Sequence, residues 1–178
     1  MVIKEESRLK FGFPDKSTVV KFDSTLFYRD YFNRFPNSKG VDFISLDKNT
    51  LALIEVKNCT GDEANCRWRI APDNKKKDTV HTEVDIKERD SLDIEMAHKV
   101  AMTLAALCGA KSFETTKGCR KEFETILQWM SADAFSDSTK KKYMILFLEG
   151  DFACRSRSKK TIMKSLQDSI NKKLKWLN

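Results

Sequence analysis

The stretch that decides the fold is residues 40–58, which read GVDFISLDKNTLALIEVKN. Two apolar runs, at 41–46 and 51–56, flank the polar residues 47–50. A polar segment of this length between two apolar runs is typical of a hairpin loop of about four residues. The pattern therefore predicts a pair of antiparallel strands.

Charged residues interrupt both predicted strands. Asp42 lies near the start of the first strand, and Glu55 and Lys57 lie near the end of the second. Strand side chains alternate in direction, so Glu55 and Lys57 project from the same face. In a hairpin centred between positions 48 and 49, position 42 lies opposite a position close to 55. The two carboxylates are expected to converge, and a divalent cation between them would relieve their repulsion.

A simpler interpretation competes with this one, because charged residues at strand ends usually just enter solvent. Glu-x-Lys alone is a weak pattern. An Asp, a gap of 12 intervening residues and a Glu-Val-Lys that closes an apolar strand form a much more specific combination. We therefore prefer the functional interpretation.

These residues resemble the signature of the PD-(D/E)XK nuclease superfamily, in which an Asp on the second core strand is followed by Glu-x-Lys on the third. Val41 stands where the nominal signature has proline. The resemblance implies an α/β fold with a restriction-endonuclease-like αβββαβ core, in which helices flank a central mixed sheet. The order of predicted elements agrees from about residue 17 to residue 150, whereas the specific motif occupies only 42–57.

The resemblance also implies residue roles. Asp42 and Glu55 would ligate Mg²⁺ or Mn²⁺, with the backbone carbonyl of Val56 as a further ligand. Lys57 would position or help deprotonate the attacking water and stabilise charge at the scissile phosphate. Many members of the superfamily carry another acid on the first core helix, where this chain offers Asp30. The other acids open for that role are Glu5, Glu6 and Asp23.

The spacing of apolar residues predicts the remaining elements. Helices are expected at 26–35, 91–108, 121–130 and, with a basic surface, 159–178; strands are expected at 7–13, 18–22 and 143–148. Gly109 is expected to end the second helix, and the last strand is expected to be covered on both faces. Residues 58–90 are expected to form a long irregular polar insertion within a single domain spanning 1–178.

Three polar residues flank the apolar stripe of the helix predicted at 91–108: Glu95, His98 and Lys99. His98 or Lys99 could reach the site as a phosphate contact. The simpler interpretation, which we prefer, is an exposed ion pair between Glu95 and Lys99 at i, i+4 beside a surface histidine.

The net charge of +7 is concentrated near the C-terminal end of the sequence, where residues 140–178 hold 11 Lys and Arg against 3 Asp and Glu. This asymmetry favours an anionic partner, with nucleic acid the first candidate and DNA preferred over RNA. The contacts are expected at Lys159, Lys160 and Lys164. A solvated lysine-rich helix face explains the charge nearly as well.

Other features of the composition exclude several classes of protein. The start of the sequence lacks the apolar core of a secretory signal, and no apolar run reaches the roughly 20 residues that span a membrane; a cytosolic location is expected. The five cysteines form no CxxC pair, and two histidines are too few for a histidine-rich metal site. Any metal is therefore expected to be a hard cation held by oxygen ligands.

The predicted function is a metal-dependent nuclease that hydrolyses phosphodiester bonds with a metal-activated water. The alternative is a catalytically inactive module of the same fold that binds nucleic acid or protein, because no target-reading motif is recognisable. A homodimer or a protein partner is compatible with either function.

Overall fold

The computed structural model of the 178-residue chain describes residues 1–61, 63–74, 89–113, 118–131, 136–152 and 157–177. Within these ranges the strands are β1 (Val2–Glu6), β2 (Leu9–Phe13), β3 (Thr18–Lys21), β4 (Phe43–Asp47), β5 (Thr50–Asn58) and β6 (Lys141–Glu149). The helices are α1 (Leu26–Asp30), α2 (Glu63–Arg69), α3 (Leu92–Lys111), α4 (Gly118–Lys121), α5 (Glu124–Ser131) and α6 (Lys159–Lys173).

The chain divides into two compact units. The first comprises Met1–Val56 and Lys99–Phe147, and the second comprises Lys57–His98 and Leu148–Asn178. None of the described helices is long and apolar enough to cross a membrane.

Strands β3, β4, β5 and β6 form one sheet in that order. The pairs β3–β4 and β4–β5 are antiparallel. Where β5 and β6 begin, the Lys141 N–H donates to the Asn49 carbonyl at 2.7 Å, and where they end, the Cys59 N–H donates to the Glu149 carbonyl at 2.8 Å. The two strands therefore run parallel, the sheet is mixed, and the predicted α/β class is confirmed.

The order of elements around this sheet is β3, α1, β4, β5, α3, β6. Helix α1 thus follows the first strand of the sheet, whereas an αβββαβ order places the first helix before it. The restriction-endonuclease-like core accordingly stays a prediction.

The β4–β5 hairpin has the register that the sequence predicted. Phe43 pairs with Ile54, and Asp47 pairs with Thr50. The turn is therefore two residues long instead of about four, and Lys48 takes a left-handed φ of 50°, as two-residue hairpin turns favour. The register is unaffected because the centre of the turn is the same.

The N-terminal prediction was wrong at its start. Ser7 and Arg8 have φ values of 51° and 66° and form a turn, so the strand predicted at 7–13 begins only at Leu9 and pairs with the unpredicted β1. The ring of Phe11 lies 5.6 Å from that of Phe43, and the ring of Phe13 lies 5.8 Å from it. This hairpin therefore packs against the apolar side of β4.

Three other boundaries differ from the prediction. Helix α3 continues through Gly109 to Lys111, and α1 ends at Asp30, followed by a 3₁₀ turn at Phe32–Arg34. The helix predicted at 121–130 is α5, which begins only at Glu124, and a separate short helix, α4, precedes it. Strand β6 is not covered on both faces, because Tyr143 is 50% exposed and every second residue after it is exposed too.

In the second unit, α2 lies inside the stretch predicted to be irregular, so that prediction was wrong for 63–69. Residues 75–88 of the insertion lie outside the described residues. Helix α6 confirms the predicted C-terminal helix, with Ile162, Leu166 and Ile170 buried at four-residue spacing.

Gly40 lies against a fully buried ring. A Cβ atom at position 40 would be 2.2 Å from Cδ1 of Phe22. Gly40→Ala is expected to lower the free energy of unfolding by about 2 kcal/mol in urea titrations, because a packed core resists the required shift. Gly109→Ala is the control, since its Cβ would lie 3.6 Å from Cζ of Phe27 and alanine favours helix. An equal loss in both variants would contradict the expectation.

Candidate functional site

The hairpin register brings the two predicted acidic ligands together. Phe43 pairs with Ile54. Asp42, one position before Phe43, therefore lies opposite Glu55, one position after Ile54. The Oδ2 atom of Asp42 accepts a hydrogen bond from the Val56 N–H at 2.7 Å. This bond orients the Asp42 carboxylate toward the strand that carries Glu55.

Both carboxylates approach the same ammonium group. The Nζ atom of Lys99 lies 2.6 Å from Oε1 of Glu55 and 3.9 Å from Oδ1 of Asp42. The side chains of Glu55, Asp42 and Lys99 are 1%, 15% and 14% exposed. Electrostatic interactions are stronger in such a shielded place than at the surface, so the three groups form a tight charged cluster within the first unit.

Backbone contacts fix the strand that carries Asp42. The Asp42 carbonyl accepts a hydrogen bond from the Phe22 N–H at 3.0 Å. The Val41 N–H donates to Oγ1 of Thr103 at 3.0 Å. Thr103 is fully buried and lies four residues after Lys99 on α3, so the helix that supplies the ammonium also anchors the start of β4.

Lys57 lies in the second unit and has a different partner. Its Nζ atom is 3.0 Å from Oε1 of Glu95, and the other oxygen of Glu95 accepts a hydrogen bond from Arg69. Glu95 and Arg69 are both buried. The exposed pair of Glu95 with Lys99 that we preferred from the sequence is therefore wrong, because long-range partners replace the local one.

The donor set at Asp42 and Glu55 fits a hard cation by its chemistry, since Mg²⁺ and Mn²⁺ prefer carboxylate oxygens. The backbone carbonyl of Val56, the third predicted ligand, follows Glu55 directly in the chain. Among the residues that the structure describes, no group of three or more His, Cys, Asp and Glu side chains could hold a metal. Among the described side chains, the carboxylates that converge here are those of Asp42 and Glu55, and the predicted ligand set stays a prediction.

The acids considered for the first helix lie in several places in the first unit. Asp30 is exposed at the end of α1. Oε2 of Glu6 lies 2.8 Å from Nζ of Lys21. Burial raises the pKa of Glu6, but hydrogen bonds from Lys21 and Ser7 outweigh burial and hold the pKa below its ordinary value.

The other two candidate acids have partners at the surface. Glu5 forms a surface ion pair with Lys10. Asp23 accepts a hydrogen bond from Ser24.

The remaining predicted contacts lie on exposed surfaces of the second unit. His98 is exposed on α3. On α6, Lys160 is exposed, Lys159 donates to the Gly150 carbonyl at 2.7 Å, and Lys164 pairs with Asp168 at 2.6 Å. These lysines are accessible to an anionic polymer at the surface of α6.

A second charged cluster of the second unit was missed by the sequence interpretation. Asp93 is fully buried, and its Oδ2 atom lies 2.7 Å from Nζ of Lys173. Lys173 also lies 2.6 Å from Asp73. Burial lowers the pKa of Lys173, but hydrogen bonds to Asp73 and Asp93 outweigh burial and raise the pKa above its ordinary value. Lys173 is thus a structural group and not part of a solvated lysine face.

Comparison with known proteins finds one matching family model, described as a family of unknown function (DUF6661), over residues 25–178. No curated protein and no solved structure matches the chain. The match covers both acids of the candidate site.

Proposed function

We propose that this chain, which belongs to the family of unknown function DUF6661, is a metal-dependent nuclease that cleaves phosphodiester bonds, in DNA more readily than in RNA. The observation that carries the proposal is the convergence of Asp42 and Glu55 on the ammonium of Lys99. Two carboxylates gathered around one cation are the oxygen ligands that a hard divalent cation prefers.

The chemistry divides between the metal and the chain. Bound Mg²⁺ or Mn²⁺ would lower the pKa of a coordinated water and screen the phosphate from the two acids. Asp42 and Glu55 would hold the cation through their carboxylate oxygens. Strand alternation directs Lys57 to the same face of β5 as Glu55, and in this proposal its ammonium would stabilise the charge that develops on the phosphate. Glu95 holds Lys57 by the ion pair at 3.0 Å.

The charge distribution supports a nucleic-acid substrate. Lys159, Lys160 and Lys164 lie exposed on α6, within the part of the sequence that carries the excess of positive charge. Lysines on one surface bind a phosphate backbone without reading its sequence, and that binding weakens as the salt concentration rises. The proposal therefore includes affinity for nucleic acid that depends on salt.

The test is cleavage of single-stranded and double-stranded DNA, and of RNA with the same sequence, in Mg²⁺, in Mn²⁺ and in EDTA. Cleavage is expected only with a divalent cation, and DNA is expected to be cut faster than RNA. Activity that survives EDTA would overturn the role of the metal. If every substrate stays intact in both metals, the nuclease proposal fails.

A further inference from the structure

We infer that Lys99 is an internal competitor for the cation site, whose ammonium occupies the place between Asp42 and Glu55 until a divalent cation displaces it. The inference rests on the proposed function, because it requires that a metal binds this pair of acids. Lys99 is not part of the Asp and Glu-x-Lys pattern, so this role is additional to those that the pattern implies.

The distances carry the argument. The Nζ atom of Lys99 lies 2.6 Å from Oε1 of Glu55, which is a short charge-assisted hydrogen bond. A Mg²⁺ ion on the same carboxylate would lie about 2.1 Å from its oxygen. Two cations that share one oxygen at these distances repel each other strongly, above all where the oxygen is shielded from water. We therefore expect the ammonium to leave Oε1 of Glu55 when a metal binds that oxygen.

The exchange would leave another contact of α3 with β4 in place. Oγ1 of Thr103, one turn further along α3, accepts a hydrogen bond from the Val41 N–H at 3.0 Å. This bond keeps the helix attached to the start of β4. The flexible four-carbon stem of lysine lets the ammonium swing away while its backbone stays in place. Displacement is thus a rotation of one side chain.

The first experiment is calorimetric titration of Mn²⁺ into the wild-type protein, Lys99→Gln and the control Lys172→Gln. The control makes the same change of charge at an exposed lysine of α6. Lys99→Gln is expected to bind Mn²⁺ about tenfold or more tightly than the wild type, the factor that one hydrogen bond to a charged group commonly supplies. Lys172→Gln is expected to match the wild type.

The outcomes separate this inference from the proposed function. Equal Mn²⁺ affinity in the wild type and Lys99→Gln would refute competition and leave the metal site intact. Binding in neither protein would overturn both, and the acids would then be the ion-paired core of a catalytically inactive module.

A second measurement uses only the wild-type protein, so that a folding defect of Lys99→Gln cannot hide the answer. Reductive methylation followed by mass spectrometry reports how accessible each lysine amine is. With saturating Mn²⁺, methylation of Lys99 is expected to rise severalfold relative to that of the exposed Lys160. Unchanged methylation of Lys99 while Mn²⁺ binds would refute displacement.

Discussion

Asp42→Asn is expected to lower the rate of metal-dependent DNA cleavage at least about a hundredfold, the scale on which loss of one charge-stabilising group acts. Asparagine keeps the shape of the side chain, and its amide oxygen can still accept the hydrogen bond that the Val56 N–H donates at 2.7 Å. The shorter contact of Lys99, at 2.6 Å, is to Glu55 and stays. The variant thus loses an anionic ligand, and its free energy of unfolding should change by no more than about 1 kcal/mol.

The measurement is kcat in saturating Mg²⁺, together with urea unfolding of each protein. Asp168→Asn is the matched control, because it makes the same chemical change in an exposed ion pair with Lys164 on α6, which contributes little to stability. That control should cleave DNA at the wild-type rate. A wild-type rate in Asp42→Asn would remove Asp42 from the site.

The parts of the fold that the sequence predicted are those that depend on local periodicity. The β4–β5 register followed from the alternation of apolar residues and the position of the turn. Strand β1 was missed because Ser7 and Arg8, which take positive φ, are not the Gly or Asn that usually signal such a turn. Helix α3 passed through Gly109 because packing can outweigh a weak local preference. Ala110, directly after it, is fully buried.

At the candidate site, too, local contacts could be predicted from the sequence and long-range contacts could not. The proximity of Asp42 and Glu55 was predictable, because both lie on one hairpin. The partner of Lys99 was not, since Glu55 lies 44 positions earlier in the chain and helical spacing points only to the local Glu95. Arg69 was missed because it reaches Glu95 across 26 positions. Sequence periodicity reports which face a residue occupies, and it does not report which distant side chain meets it there.

Asp93→Asn is expected to lower the free energy of unfolding by about 2 kcal/mol at neutral pH, because it removes the charge of a buried carboxylate that accepts a hydrogen bond from an ammonium. Oδ2 of Asp93 accepts hydrogen bonds from Ser169 at 2.8 Å and from Lys173 at 2.7 Å. Asparagine fills the same space but carries no charge, so that Asp73 alone offsets the ammonium of Lys173. Urea unfolding measures the loss, with Asp168→Asn as the control on an exposed part of α6. An equal, small change in both variants would contradict a structural role for the buried cluster.

The pH dependence of stability tests the same cluster independently. Burial raises the pKa of Asp93, but hydrogen bonds from Lys173, Ser91 and Ser169 outweigh burial and hold the pKa below its ordinary value. A carboxyl group whose pKa is lower in the folded state stabilises the fold above its unfolded pKa of about 4, and this contribution is lost as the pH falls through the folded value. The wild type should therefore lose more stability than Asp93→Asn when the pH drops below about 4. Because the variant has no carboxyl group to protonate at position 93, the two unfolding free energies should approach each other in acid, whereas parallel curves would mean that Asp93 does not titrate with folding.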